Sequence, residues 1–466
     1  MSELERKFAA ALPGFARGHW HKLKASPIGY RLAKGFGWSF VGAVLSRILT
    51  LCSSIIVARL MGKVGVGQVG MIQSTVGMFT AFAGLGMGLT ATKYVAEFRT
   101  TNPARAKSII RLSASVCWIT GLIMTLAVAV LAPVLARKTL GAPELSIELL
   151  LGSGLLLLGA VNGGQMGALA GFEAFKAIAK INLFSGLVSL PLTVAAVYFW
   201  GVPGAVCALV LNQGVACLLS HAALREEKKQ LGDCPPLPLT RADYKLLWHF
   251  SLPGMLCNLI FAPANWTCNA FLVNRAGGYG ELGIFNAANG WLNAVTFLPG
   301  LLAQVVLPVL SQASGEGNAQ RSRKILVVAT KVNALFVLPV VLVGCLASPY
   351  IMRLYGPGFQ SGWSTLVLVF MTAGLVCIQG PVGNLMVASG RMWLTLGCYS
   401  IWSLSFVGLT WEWVEAGAFG MAGAKLAAQV VNGLAILAFA IWYYRTFKSE
   451  PVEAVLQKCA GEKELI

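Results

Sequence analysis

GWSFVGAVLSRILTLCSSIIVARLMG, residues 37–62, decides the fold class: it is an apolar run with Arg47 deep inside it, Arg59 near its end, and no carboxylate. A bilayer core of about 30 Å takes about 20 apolar residues as a helix, and backbone groups left unpaired in lipid cost several kcal/mol each. The stretch therefore reads as a membrane-spanning helix. Eleven similar runs follow it, and the expected spans are 36–58, 69–92, 109–135, 147–170, 177–200, 202–222, 247–271, 283–308, 325–349, 362–386, 392–412 and 417–442. The bulk composition agrees. Of 466 residues 56% are hydrophobic and 12% charged, and the mean hydropathy is +0.71. A soluble domain carries about 25% charged residues to wet its surface, so an ordinary cytosolic enzyme is excluded.

A formal net charge of +18 would otherwise point to nucleic acid. Here the basic residues sit between apolar runs, where Lys and Arg report topology, so no nucleic-acid partner is expected. The side that holds both termini collects 28 of the 36 Lys and Arg residues, the other side 6, and only Arg47 and Lys425 remain within spans. That asymmetry predicts both termini in the cytoplasm. Residues 1–35 form a basic cytoplasmic segment with no apolar core for a cleaved signal. Residues 3–24 are expected there as an amphipathic helix on an anionic leaflet, or as a basic tail. Nine of the 11 cysteines fall in apolar runs and no CxxC occurs, so they read as small buried hydrophobes; neither a metal site nor a cofactor is expected.

The polar stretch at 223–246 divides the chain into a six-helix lobe at 36–222 and another at 247–442, with a cytoplasmic tail at 443–466. The two lobes repeat one another weakly. VARLMGKVGVGQVG at 57–70 matches VNRAGGYGELG at 273–283, which lays Gly67 and Gly70 over Gly280 and Gly283. ARAKSI at 104–109 lies over QRSRKI at 320–325, and Asn212 over Asn432. An even number of spans per lobe makes the repeats parallel, and transporters place their sites at such interfaces near the midplane. The expected architecture is an all-α polytopic membrane protein, twelve transmembrane helices in two parallel six-helix lobes around a central cavity.

Polar groups at membrane depth face a partner helix or water. Asn286, Asn289 and Asn293 are spaced to share one helical face, as are Asn258, Asn265 and Asn269, and Lys425, Gln429 and Asn432. Gln73 adds an amide in the second span. Amides often knit one helix to another; three stripes together point to a hydrated cavity, and groups that both donate and accept suit sugar hydroxyls. Arg47 lies roughly 16 Å into the first span, and Lys425 is also near the midplane. No Asp or Glu lies as deep. Cations in that position need an anion, water or carbonyls. Prolines 253, 263, 299 and 308 and glycines 84, 86 and 88 are candidate points of bending, and the three glycines read equally well as ordinary helix-packing residues.

The opening span, VGVGQVGMIQS at 64–74 and KYVAEFR at 93–99 together resemble the polysaccharide (Wzx-type oligosaccharide) flippases of the MOP exporter superfamily, which also holds MurJ-type lipid flippases and MATE drug exporters. The resemblance extends loosely over 36–445. It implies a cationic central cavity and export of undecaprenyl-pyrophosphate-linked oligosaccharide across the bacterial inner membrane. Arg47 matches the cavity arginine such flippases often carry in their first span. Membrane lipids and the polysaccharide polymerase machinery are the partners it implies. The further cavity arginines of the MurJ type are not evident, nor are the deep carboxylates many cation-coupled MATE exporters use. A MATE-like cation-coupled multidrug exporter is the alternative. No G-x-x-x-x-G-K-[ST] segment is present to bind ATP, and the short outer loops leave little room for a membrane enzyme.

Overall fold

The structure, a computed structural model, describes residues 27–231, 259–315, 319–389 and 392–447, and the regular structure among them is helical throughout. The expected amphipathic helix at 3–24, most of the 223–246 stretch and Asn258 lie outside the described residues. Helix α1 (Pro27–Gly84) is 58 residues long, about 87 Å at 1.5 Å per residue, far more than a bilayer core. It is broken at Gly62, whose φ of 68° and ψ of 177° suit only a residue without a β-carbon. Helix α2 (Met87–Thr101) follows a second break, where Leu85 (φ 43°) and Gly86 (φ 69°) both enter the left-handed region. Helix α3 (Pro103–Val134) starts on Asn102, whose side chain accepts from the Arg105 amide at 3.1 Å, with proline in its favoured first position.

Helix α4 spans Ser146–Gly171 and α5 Phe175–Gln230, the latter broken at Gly201 (φ 58°). The second half holds α6 (Leu259–Val273), α7 (Gly278–Val295), α8 (Phe297–Gly315), α9 (Ala319–Tyr355), α10 (Trp363–Ala388), α11 (Met392–Trp413) and α12 (Gly417–Phe447). Among the described residues seven helical segments are long and apolar enough to cross a membrane, and several of these are double-length pieces folded at a glycine or a short turn.

Four features depart from the sequence expectation. Helix α1 begins at Pro27, not 36, and α5 runs on to Gln230, inside the stretch read as a linker. Residues 223–230, ALREEKKQ, are strong helix formers, and a helix leaving lipid keeps its own backbone bonds whatever its polarity. The expected continuous span at 69–92 is interrupted at Leu85–Gly86. The expected span at 283–308 is likewise divided, between α7 and α8 at Thr296. By the Gly67/Gly280 alignment the two interruptions fall at nearly equivalent positions.

The reversals gather at two faces. At one, the packed face, Tyr279 Oη donates to Leu140 O at 2.9 Å and Asn274 Nδ2 to Thr139 O at 2.9 Å. There also Arg59 Nε donates to Leu354 O at 2.6 Å, and Arg275 pairs with Glu415 at 3.0 Å. The opposite, terminal face carries Pro27, Phe447 and the Arg99–Glu173 pair at 2.6 Å. Within the second half Trp402, Phe406, Phe370 and Tyr355 form an aromatic core, with Phe261 stacked on Trp402 at 4.2 Å. Large apolar side chains such as Leu346, Leu404 and Val130 stand exposed on the outside, an arrangement hydrocarbon solvates and water does not.

Candidate functional site: a crevice between the halves

The halves meet where α1 crosses α7, glycine against glycine. A β-carbon on Gly67 would overlap the Tyr279 carbonyl oxygen and stand 2.8 Å from its carbon and 3.1 Å from the Gly283 nitrogen. One on Gly283 would meet the Lys63 carbonyl and the Gly67 nitrogen in the same way. Gly70 is covered by the Asn286 side chain and Gly280 by the Lys63 stem. The repeated Gly-x-x-Gly motif of each half thus lies in a single crossing, where small residues let two backbones touch.

From this crossing two polar seams run toward the middle of the bundle. Trp266 Nε1 donates to Thr75 Oγ1 at 3.1 Å, and Asn269 Nδ2 to Ser74 Oγ at 2.8 Å. Trp291 Nε1 donates to Tyr355 Oη at 3.1 Å, which lies 3.4 Å from Ser54 Oγ. Two helical turns further along the first arm of α1 stands Arg47. It is exposed, and its guanidinium lies 5.8 Å from the Phe297 ring centroid, at the start of α8 in the other half. Gln73 and Asn293 are exposed as well. Arg47, Gln73 and Asn293 are thus exposed polar groups on helices that pass through or adjoin the crossing.

The remaining sequence candidates are engaged elsewhere. Lys425 Nζ donates to Asn289 Oδ1 at 2.7 Å and lies 5.5 Å from the Phe285 ring, so the second cation is held within the second half, without a contact to Arg47 among the described residues. Gln429 and Gln379 exchange bonds of 2.6 and 3.2 Å. Asn265 donates to Phe261 O on its own helix at 2.8 Å. Asn432 Oδ1 and Asn286 Nδ2 are buried and find no partner among the described residues. A buried amide takes the nearest complementary group because an unmade bond costs more than a made one gains. Of the three stripes, Asn269, Asn289, Lys425 and Gln429 bond to other helices, while Asn293 is exposed, as are Arg47 and Gln73 outside the stripes. Sequence reasoning did not find Trp266, Trp291 or Phe297; an indole in an apolar run, with a donor that must be satisfied, was the available signal for the first two.

A cavity of about 550 Å³ opens among α8, α9 and α10. Its wall starts at Thr296 and Gly300, adjoining Phe297, and is mostly aliphatic, with Asn333 and Asn384 within and Arg321 and Lys324 toward the terminal face.

Residues 32–314 match a family described as polysaccharide biosynthesis protein. The chain is 25% identical over 206 residues to the EPS I polysaccharide export inner membrane protein EpsE of Ralstonia nicotianae, covering 43% of this chain and 45% of that protein. The counterpart from Ralstonia solanacearum is 24% identical over 226 residues, 47% of this chain and 49% of that protein. The match thus spans about half the length of these curated relatives. Among solved structures, an inward-facing multidrug resistance MATE family transporter of the MOP superfamily superposes with a TM-score of 0.74 at 19% identity, over 87% of this chain and 96% of that one. An outward-facing one gives 0.65 at 19% identity over 89% and 95%. A MOP superfamily transporter from Pyrococcus furiosus gives 0.66 at 18% identity over 89% and 95%. The fold is that of these transporters, and the chain is a multi-pass membrane protein.

Proposed function

The chain belongs to the polysaccharide biosynthesis protein family, and from that premise we propose that it is a flippase. It moves a polyprenyl-pyrophosphate-linked oligosaccharide across the bacterial inner membrane. In this reading twelve spans form two six-helix lobes with both termini cytoplasmic, and a crevice between the lobes is the passage for the polar head while the polyprenyl tail stays in lipid. The observation that carries the reading is Arg47: an exposed guanidinium deep in the first span, 5.8 Å from the ring of Phe297 in the other half. Arginine's planar fork suits a pyrophosphate, whose charge supplies what the site lacks. Gln73 and Asn293 offer donors and acceptors to glycan hydroxyls. Lys425, bonded to Asn289, steadies α7 and bears on the cargo only through that helix.

Access alternates as the halves rock about the α1–α7 crossing. The described residues contain no Asp, and their Glu residues lie near helix ends, which disfavours the multidrug exporter that the fold neighbours bring to mind as a second reading. A membrane potential is worth about 2.3 kcal/mol per charge per 100 mV, so two negative charges leaving an inside-negative cell gain about 4–5 kcal/mol.

The test is reconstitution in vesicles loaded with fluorescent polyprenyl-pyrophosphate sugars on one side and, separately, with cationic dyes. Lipid flipping that disappears in Arg47→Ala supports the reading. Dye export without lipid flipping would establish the drug exporter, and flipping unchanged in Arg47→Ala removes the anion role.

A further inference from the structure

The cavity among α8, α9 and α10 measures about 550 Å³, inside the range of about 300–1,000 Å³ that takes a small ligand. Two short sequences explain why it is there. Pro299 and Gly300 on α8 and Gly380 and Pro381 on α10 all line it, and a glycine beside a proline leaves a helix bent, with no side chain to close the gap. A β-carbon built on Gly300 or Gly380 meets nothing within 4 Å. The rest of the wall is mostly aliphatic, from Leu302 and Val306 to Ile325, Val328, Val332 and Val376. Asn333 spends its amide on the Cys377 carbonyl at 3.0 Å. Packed interiors hold few voids larger than a water molecule, and an apolar void stays dry. Hydrocarbon is the filler that a bilayer supplies. The wall on α9 runs from Lys324 to Asn333, nine positions or about 14 Å at 1.5 Å per residue, close to half of a bilayer core of about 30 Å. Its outer end is at the terminal face, where Ser322 Oγ lies 3.5 Å from Tyr444 Oη near the end of α12. Lys324 stands exposed at that end, with no hydrogen bond or ion pair among the described residues, and no carboxylate among them lines the cavity. Arg321, one turn earlier, is engaged with a partner of its own.

We propose that this cavity holds one acyl chain of an anionic phospholipid from the leaflet at the terminal face, with the lipid phosphate on the Lys324 ammonium. Length selects a single chain: the slot is as deep as the hydrocarbon of one leaflet and ends among Thr296, Asn333 and Val376. Charge selects the headgroup, because a lysine at a lipid surface attracts an anionic head and gains nothing from a zwitterionic one, whose own cation offsets the phosphate. The bound chain supplies the packing that Gly300 and Gly380 leave out. The site needs neither Arg47 nor an oligosaccharide, so it stands apart from the cargo assigned above.

The full-length protein in vesicles is given phosphatidylglycerol or phosphatidylcholine that carries a diazirine near the end of one acyl chain, and the residues labelled on irradiation are mapped by mass spectrometry. Wild type is expected to be labelled at or beside the buried Asn333 and Cys377, with phosphatidylglycerol about fivefold over phosphatidylcholine, which is what one lysine is worth at an anionic headgroup. Gly380→Leu fills the cavity and is expected to lower that label at least fivefold, while label on the exposed strip of α3 at Leu122, Ile123 and Leu126 stays as in wild type. Lys324→Gln is expected to make the two lipids equal, and Lys324→Arg to retain the preference. No label at Asn333 and Cys377, undiminished label in Gly380→Leu, equal labelling by the two lipids in wild type, or an undiminished preference in Lys324→Gln overturns the proposal. Removal of the label by equimolar polyprenyl phosphate would give the cavity to the tail of the cargo and overturn it too. If Gly380→Leu elutes as aggregate, Gly300→Leu fills the cavity from the α8 side, and the wild-type ratio with Lys324→Gln decides in either case.

Discussion

Replacing Gly67 by alanine tests whether the α1–α7 crossing is the contact that holds the packed face shut. The new methyl carbon would stand 2.8 Å from the Tyr279 carbonyl carbon and overlap its oxygen. Nonbonded carbon atoms settle at about 3.5–4.0 Å, so the helices must part by about 1 Å, which forfeits a quarter to a half of the local dispersion well. Overpacking of this kind costs about 1–3 kcal/mol. The cost falls on the closed arrangement alone, because once the halves separate the methyl group has room. The ratio of closed to open forms should drop by about 5- to 150-fold. Hydrogen exchange followed by mass spectrometry reads that ratio in peptides covering 63–70 and 278–286, whose amides are shielded by the crossing. Exchange there should speed up by the same factor, with peptides in α10 and α11 unchanged. Gly283→Ala should reproduce the effect. Gly77→Ala, where no atom lies within 4 Å of the added carbon, should not. Unchanged exchange at the crossing, or faster exchange spread evenly over the chain, would refute the reasoning.

Three more outcomes follow from named contacts. Asn289→Leu strips the 2.7 Å acceptor from Lys425; losing a bond to a buried charge costs about 1.5–3 kcal/mol, visible as a lower melting temperature in detergent. Adding Lys425→Met should recover most of that loss, since the orphaned charge goes with it, and strictly additive losses would show that the two side chains do not interact. Arg47→Ala should slow flipping by about 10- to 150-fold if the guanidinium makes charged hydrogen bonds to the cargo, and Arg47→Lys should retain more than Arg47→Ala does; a lysine no better than alanine in vesicle flipping would count against charge as the essential property. Glu281 Oε2 accepts from the Ala418 amide at 2.9 Å at the start of α12. Glu281→Ala should cost about 1–2 kcal/mol by thermal unfolding, through loss of a carboxylate at a helix N-terminus, and an unaltered melting temperature would deny it that role.

The legible and the illegible parts of this chain divide along a physical line. Membrane helices announce themselves because lipid demands long apolar runs, so the GWSFVGAVLSRILTLCSSIIVARLMG stretch could be read directly, whereas the break at Leu85–Gly86 interrupts what reads as one continuous span. The Gly67 and Gly283 motif could be found because close backbone approach admits one residue type. What periodicity cannot reveal is which neighbour a face will meet. The Asn286, Asn289, Asn293 stripe does share one helix, yet one member lies against Gly70, one accepts from Lys425, and one is exposed. Those differences depend on α1 and α12, which come from distant parts of the chain. Likewise the Arg47 depth was readable, whereas the Phe297 ring opposite it was not. The end of α5 was misjudged because ALREEKKQ was weighed by polarity, which ends a span but not a helix.

The chemistry of the contacts between halves bears on how such a protein could be driven. Among the described residues six hydrogen bonds join them near the packed face: Trp266 to Thr75, Asn269 to Ser74, Ser54 with Tyr355, Arg59 to Leu354, Asn274 to Thr139 and Tyr279 to Leu140. Five are neutral and worth about 1 kcal/mol each net of the water bonds they replace, and the one from the Arg59 guanidinium about 1.5–3 kcal/mol, so that opening this face costs about 6.5–8 kcal/mol before the glycine crossing is counted. Carrying two negative charges outward through 100 mV returns about 4–5 kcal/mol. The two are close enough that cargo contacts at Arg47 could decide the direction. A crossing sealed by buried ion pairs would cost several kcal/mol for each charge left behind and would stay shut under the same potential. On the proposed function, a seam of indoles, hydroxyls and amides is the one a charged cargo can open without ATP.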